Sequence, residues 1–353
     1  METDRLSERL FESAVGAFEL YTIYVGERLG FYTSLASDGD ATVPELAART
    51  GTTERLVREW LEQQASAGFL VVDDVDAGPQ DRRYRLPPEH VPVLADPDDV
   101  RFEAHRGVET VRVARPMPDV VEAFRTGTGP PPLSWEPEGR AEFNRPIFLN
   151  LLGREWLPSI ASVHERLVRE PPARVADIAC GTGWSSIAMA LAYPSITVHG
   201  FDLDRDAIAA ATAHAAERGV ADRVEFVARD AAEAGAAEPY DLVTIFEALH
   251  DMSRPVRVLE TARSILGPDG SVVVADELVG DRFAAPASEQ DRYVYAVSVI
   301  ACLPFGMGDP ETAATGAVMR ASTVRRYAEQ AGFHEVEVLP IETDFWRFYR
   351  LRP

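Results

Sequence analysis

Two short stretches of this sequence hold the residue types that do chemistry. The first is Val175-Ala176-Asp177-Ile178-Ala179-Cys180-Gly181-Thr182-Gly183-Trp184-Ser185-Ser186, an apolar run that ends in small residues and opens into a helical pattern at Ile187. Small residues let a backbone turn tightly and approach a ligand, and the free amides of a helix start attract an anion. The second is Phe246-Glu247-Ala248-Leu249-His250-Asp251, again directly behind an apolar run. Histidine can take up a proton near neutrality, because its ordinary pKa is about 6.5. The plainer alternative is that His250, Asp251 and Ser253 merely start the next helix. Between the stretches stands Asp202, nineteen residues after Gly183, where a carboxylate suits the two hydroxyls of a ribose.

Two nucleoside ligands fit this layout. A dinucleotide fingerprint needs Gly-x-Gly-x-x-Gly, and counting from Gly181 its third glycine is Ser186, so that fingerprint fails. S-adenosylmethionine has no phosphate. Its carboxylate can take the loop amides, and its ammonium and sulfonium tolerate acids nearby, with Asp177 placed to serve them. Asp276 and Glu277 close a later apolar run and point toward the same cleft, or are simply a solvated strand end. His250 with either of them could hold a metal. Histidine is scarce beyond them (only His334), so no metal site is expected.

The elements that must carry these residues are short and regular. From Arg174 onward, Val175–Ala179, Ile196–Phe201, Val224–Val227, Asp241–Phe246 and Ser271–Asp276 read as strands separated by alanine-rich helices. Near-continuous apolar strands alternating with helices imply an α/β fold with a parallel sheet covered on both faces. An insertion at Glu277–Ala321, a helix at Thr323–Ala331 and two closely spaced strands, Phe333–Leu339 and Asp344–Leu351, complete this region. In an open sheet of this kind, ligands lie at the carboxyl edge.

The first 90 residues read differently. Apolar spacing over Phe11–Leu35 predicts a helix, and Thr42 with Glu45 forms a capping box for a second helix that Gly51 ends. A helix at Thr53–Ala67 and strands at Phe69–Val72 and Tyr84–Leu86 then describe a winged helix. Such domains often bind DNA, but Thr42–Leu86 carries six arginines against eight acids, a net charge of −2, so packing or dimerisation is the preferred role. Residues 91–169 read as a connector and helical cap. One helix is expected near Arg101–Arg125 and one or two more over Phe143–Arg169, with Pro158 a start or a kink.

The composition agrees. The 353 residues include 35 Lys and Arg against 57 Asp and Glu, a net charge of −22, which argues against gripping nucleic acid or anionic lipid. Cys180 and Cys302 are the only cysteines, so neither a disulfide framework nor a cysteine-built metal site is expected. No apolar run reaches the roughly 20 residues that span a bilayer. A cytoplasmic setting is the expectation.

As a set, these motifs resemble those of class I S-adenosylmethionine-dependent methyltransferases. Asp177–Gly183 resembles their first motif and Phe201-Asp202 their ribose-binding acid. Arg229-Asp230-Ala231 is similar to their adenine-contacting motif, Tyr240–Asp251 to their fourth-strand motif, and Leu266–Gly270 to their turn into the fifth strand. With the winged helix in front, the whole chain resembles bacterial small-molecule methyltransferases related to the O-methyltransferases. The resemblance implies a Rossmann-like seven-stranded sheet of order 3-2-1-4-5-7-6 spanning residues 170–353, and a homodimer formed through the winged-helix domain. It implies a small-molecule methyl acceptor attacked through O, N or C, with secondary metabolism as the setting. It also implies cofactor contacts from Asp177, Ala179, Cys180, Gly181, Gly183, Trp184, Asp202, Leu203, Asp230, Ala231, Phe246 and Glu247, with His250 as general base. Ala179 departs from the family, which has glycine there. For the acceptor pocket, the aromatic and apolar character of the cap and insertion singles out Phe143, Asn144, Phe148, Trp156, Glu277, Tyr295, Cys302 and Met307. Two other readings stay open: a DNA-binding regulator that senses S-adenosylmethionine, and a methyltransferase fold turned to other chemistry.

Overall fold

The structure is a computed structural model that describes residues 2–130, 143–233 and 238–353. It divides into two compact units, one of residues 1–115 with 138–146 and one of residues 116–137 with 147–353. Of the segment expected as connector and helical cap, residues 91–115 fall in the first unit and 147–169 in the second. Residues 131–142, with the end of the proline-rich stretch Gly127–Pro132, lie outside the described residues.

In the first unit, α1 (Glu2–Arg28) and α2 (Phe31–Ser37) replace the single helix expected over Phe11–Leu35. Gly30 divides them at φ 67°, a left-handed conformation that glycine adopts without strain. α3 (Val43–Thr50) starts at the expected capping box, with the Thr42 amide donating to Glu45 at 2.8 Å, and stops at Gly51. α4 (Glu54–Ser66) and the antiparallel pair β1 (Val71–Val72) and β2 (Tyr84–Arg85) complete the winged helix. Its core gathers Phe31, Tyr32, Leu46, Trp60, Leu61 and Tyr84. α5 (His105–Ala114) belongs to this unit, and α6 (Met117–Thr126) to the other. Pro116 separates them, so the one helix expected near Arg101–Arg125 is two.

The second unit is a seven-stranded sheet. Its strands are β3 (Arg174–Ile178), β4 (Thr197–Asp202), β5 (Val224–Ala228), β6 (Tyr240–Phe246), β7 (Leu266–Glu277), β8 (Glu335–Val338) and β9 (Trp346–Arg352). Their spatial order is β5-β4-β3-β6-β7-β9-β8, with β9 antiparallel to both neighbours, which is the 3-2-1-4-5-7-6 order expected. β7 starts five residues earlier than its apolar run suggests: Leu266 pairs with Tyr240, and a register irregularity between Tyr240 and Leu242 absorbs the glycine-containing turn. α7 (Ala161–Val168) precedes the sheet. α8 (Trp184–Ala192), α9 (Arg205–Glu217), α10 (Pro255–Ser264), α11 (Glu289–Val297) and α12 (Ala321–Gln330) follow in chain order. α10 and α12 cover one face through Leu259, Ala262, Val324 and Ala328. Two stretches have π-type hydrogen bonding: Phe148–Trp156 ahead of α7 and Ser298–Cys302 directly after α11. Pro158 lies two residues before a break at Ile160, where ψ is 83° and α7 begins.

Candidate active site

The parallel register explains why distant motifs meet. Asp177 of β3 pairs with Gly200 of β4 and Thr244 of β6, and Phe246 pairs with Ala275 of β7. The residues that leave these strands therefore emerge side by side along one edge.

At the first crossover, the backbone bends through Ala179 (φ 56°), Gly181 (φ 53°) and Gly183 (φ 84°) before α8 begins. A Cβ on Gly183 would lie 2.5 Å from the ring of Phe226, so that position excludes any side chain. A Cβ on Gly181 would meet nothing within 4 Å, which leaves the outer face of the bend open for a ligand. Asp202 holds the bend: its carboxylate accepts the amides of Gly181 at 2.8 Å and Asp204 at 2.9 Å. Each oxygen keeps a further lone pair for a sugar hydroxyl. Leu203 beside it is an exposed apolar side chain at the same edge. Asp230 accepts from the Ala232 amide and pairs with Arg254 at 3.0 Å, with Ala231 half-buried between them. Loop amides, a ribose-directed carboxylate and an apolar edge fit S-adenosylmethionine.

Three of the side chains expected on the cofactor side are engaged within the fold. Asp177, buried under the bend, accepts the hydroxyls of Ser185 and Ser186 at 2.6 Å and of Thr244 at 2.7 Å. Burial pushes its carboxyl up, and those three donors pull it back. Trp184 stacks on His214 with ring centroids 4.5 Å apart and lies under Arg218, so it fastens α8 to α9. The Cys180 thiol turns inward toward Gly200, leaving only its backbone at the bend; burial, Asp177 and Asp202 all push that thiol up.

At the second crossover, Glu247 takes φ 51° and His250 is buried. His250 Nδ1 lies 2.7 Å from Asp276 Oδ1, and its Nε2 lies 3.3 Å from Asp251 Oδ1. Asp276 also accepts the amides of His250 and Glu277, so the ring is held at both ends of the turn. Burial lowers the proton affinity of His250, but Asp251, Asp276 and a hydrogen bond with Cys302 outweigh it, and its pKa stands well above the ordinary histidine value. Glu277 is pushed up to about 8, first by burial and then by the charge of Glu247, with His250 acting against them. Asp276, which sequence reasoning left undecided between site and strand end, is the partner that orients His250. The signal was the parallel register, which sets the end of β7 beside the end of β6.

The acceptor-side residues divide. Cys302 joins His250 and Asp251, their ligating atoms all within 4.8 Å of one another. Phe148 packs against Phe246 at 5.7 Å and Trp346 at 5.5 Å, forming a wall next to Glu277, which pairs with Trp346 across β7 and β9. Trp346 was missed, because a lone tryptophan in a terminal strand carries no sequence signal. Trp156 is buried against Trp346 and Phe348 and serves as core. The Tyr295 hydroxyl accepts from Arg320 at 2.8 Å, and the Met307 carbonyl accepts the Gly129 amide, so neither is tied to His250. Phe143 and Asn144 belong to the first unit, where Phe143 meets His105 edge-on at 4.8 Å.

Fold and bend together define a class I S-adenosylmethionine-binding sheet. The Methyltransferase domain family matches residues 170–332, and the Rv2258c-like winged HTH domain family matches residues 17–96. Ubiquinone biosynthesis O-methyltransferase of Ralstonia nicotianae is 28% identical over 212 residues, covering 59% of this chain and 79% of that protein. Trans-aconitate 2-methyltransferase of Streptomyces avermitilis is 31% identical over 113 residues, 31% of this chain and 38% of that one. Among solved structures, human N-acetylserotonin methyltransferase in complex with SAM superposes with a TM-score of 0.72 at 17% identity, covering 98% of this chain and 97% of that one. Mitomycin 7-O-methyltransferase MmcR gives 0.67 at 21% identity, covering 100% and 99%. The chain carries an S-adenosylmethionine-dependent methyltransferase domain at residues 170–332 behind an N-terminal winged-helix domain at residues 17–96.

Proposed function

We propose that this enzyme methylates the oxygen of a small, largely apolar acceptor, with His250 removing the acceptor proton. The single observation that carries this reading is the 2.7 Å contact between His250 Nδ1 and Asp276, which orients the imidazole and leaves Nε2 beside Asp251. Bound S-adenosylmethionine supplies an electrophilic methyl group on a sulfonium. In this reading the Gly181 bend and Asp202 hold the cofactor's amino-acid and sugar ends, and the Phe148–Phe246–Trp346 wall holds the acceptor. Alignment of nucleophile and methyl supplies much of the rate. His250 supplies the rest: its two flanking carboxylates make it a stronger base once it is neutral, at the expense of the fraction that is neutral at pH 7. The O-methyltransferases among its relatives, those of ubiquinone biosynthesis and of mitomycin, favour oxygen over nitrogen or carbon.

The winged helix supports dimerisation in this reading rather than DNA binding. In α4, Arg55 pairs with Glu59 and Arg58 with Glu62, and Arg82 from the wing also reaches Glu62, so these cations are neutralised within the domain.

The test is turnover of labelled S-adenosylmethionine against a panel of phenols, with amines and keto acids as controls. His250→Ala should lower kcat by about 100-fold or more and leave cofactor affinity, read by calorimetry, nearly unchanged. Undiminished turnover in that variant removes the base from the mechanism.

A further inference from the structure

The contact of His250 with Cys302 has no evident part in methyl transfer, yet it brings three different metal-binding groups to one point. A ring nitrogen of His250, a carboxylate oxygen of Asp251 and Sγ of Cys302 lie no farther than 4.8 Å from one another, and Nε2 is the nitrogen that faces Asp251, at 3.3 Å. We propose that these three side chains bind a divalent transition-metal ion of the zinc type, with a fourth position left for an oxygen of the acceptor.

Four features support this. On a tetrahedral ion, ligand atoms sit about 3.3–3.8 Å apart, as follows from metal–ligand distances of about 2.0–2.3 Å. Nε2 and Asp251 Oδ1 already stand at 3.3 Å, and the half-buried Cys302 offers its ligand atom within 4.8 Å of both residues' ligating atoms. The second feature is the orienting partner. Metal-binding histidines donate their other ring N–H to a carboxylate, and Asp276, itself buried, takes this role at Nδ1. Third, the charges balance: one carboxylate and one thiolate neutralise a divalent ion, with the imidazole neutral. Binding displaces the thiol proton of Cys302, and any proton on Nε2, to solvent. Fourth, the nitrogen, oxygen and sulfur set selects borderline ions and disfavours magnesium or calcium, which prefer oxygen alone. The π-type turn at Ser298–Cys302 presents the thiol, and such turns cluster at functional sites.

In the metal-free enzyme Nε2 is the base proposed above; with the ion bound, Nε2 would be a ligand and an acceptor hydroxyl at the fourth position would ionise more readily. The inference concerns the cleft of the proposed reaction, but it does not depend on methyl transfer and is tested without cofactor.

The full-length protein, freed of metal with a chelator, is titrated with cobalt(II) as the probe. Binding at one equivalent, with a near-ultraviolet thiolate-to-cobalt charge-transfer band that zinc abolishes, is the expected result. Cys302→Ser should remove the band, and Asp276→Asn should weaken cobalt binding about 10- to 100-fold. Should the cysteine variant misfold, Asp251→Asn must weaken binding instead. No band at micromolar protein, binding only at millimolar metal, or a band that survives in Cys302→Ser overturns the proposal. Calorimetry with S-adenosylmethionine is run separately: failure there removes the methyl-transfer reading and leaves the cobalt result standing.

Discussion

Asp177 shows how a residue's chemistry depends on what surrounds it. A carboxylate in the first motif reads in sequence as a partner for a cationic ligand. The fold instead closes it beneath the bend with three hydroxyl donors, and two of those, Ser185 and Ser186, were visible only as a helix start. Its role is to tie β3, β6 and the start of α8 into one rigid platform. Ser186→Ala leaves the buried carboxylate one donor short, so urea denaturation should show a loss of about 1.5–3 kcal/mol; an unchanged midpoint would mean that the carboxyl is protonated and needs fewer donors. His105 offers a second test. It is buried beside Phe102 and Phe143, with Glu103 4.0 Å from Nε2. Burial first, and Arg106 second, bring its pKa down to about 3, against the opposing pull of the Phe102 backbone carbonyl. The unfolded chain binds that proton near pH 6.5, so this stability is complete above about pH 6.5 and is lost as pH falls toward 3. At pH 5 the loss is about 2 kcal/mol. His105→Phe should flatten the acid limb of the unfolding profile, and a profile that keeps its slope would place the effect elsewhere.

Among elements, those with local causes were legible and those with tertiary causes were not. The capping box at Thr42 and Glu45, the stop at Gly51 and the strands of the sheet other than β7 follow from side-chain types and period, and they appear at the expected places to within a residue or two. The early start of β7 depends on pairing with Tyr240, and the π-type hydrogen bonding at Phe148–Trp156 and Ser298–Cys302 depends on packing. No residue pattern announces either. The same division runs through the site. Gly181, Gly183, Asp202 and His250 announce themselves by type and spacing, whereas Asp276 and Trp346 gain meaning only from the strands beside them. Gly183 joins both kinds of cause, because it must turn left-handed and also lie under Phe226. Gly183→Ala should therefore cost about 2–4 kcal/mol, combining backbone strain with overpacking, and should weaken cofactor binding measured by calorimetry. Retained affinity with lowered stability would show that the bend re-forms around the added methyl.

At the scale of the whole molecule, one feature is unexplained by a single chain. α1 runs 27 residues, about 40 Å, and keeps Leu10, Phe11 and Phe18 at 63%, 72% and 67% exposure. A monomeric protein rarely leaves so long an apolar stripe in water. We infer that a second copy covers it, the partner that the winged-helix resemblance also implies. Charge makes the inference testable in a particular direction. Each chain carries −22, and α1 itself has six acids and three arginines, so two copies repel one another at long range while their apolar faces attract at contact. Salt shortens the repulsion, whose range is about 10 Å at 0.1 M and three times that at 0.01 M, and leaves the apolar attraction in place. Sedimentation equilibrium should therefore show a dimer that tightens as salt is raised, opposite to an interface built on ion pairs. Replacing Phe11 and Phe18 by glutamate should give a monomer at every salt concentration. The urea midpoint of that monomer's catalytic unit should move by less than about 0.5 kcal/mol, since exposed positions contribute little to folding. A wild-type chain that stays monomeric at high salt and high concentration would leave the stripe to some other partner.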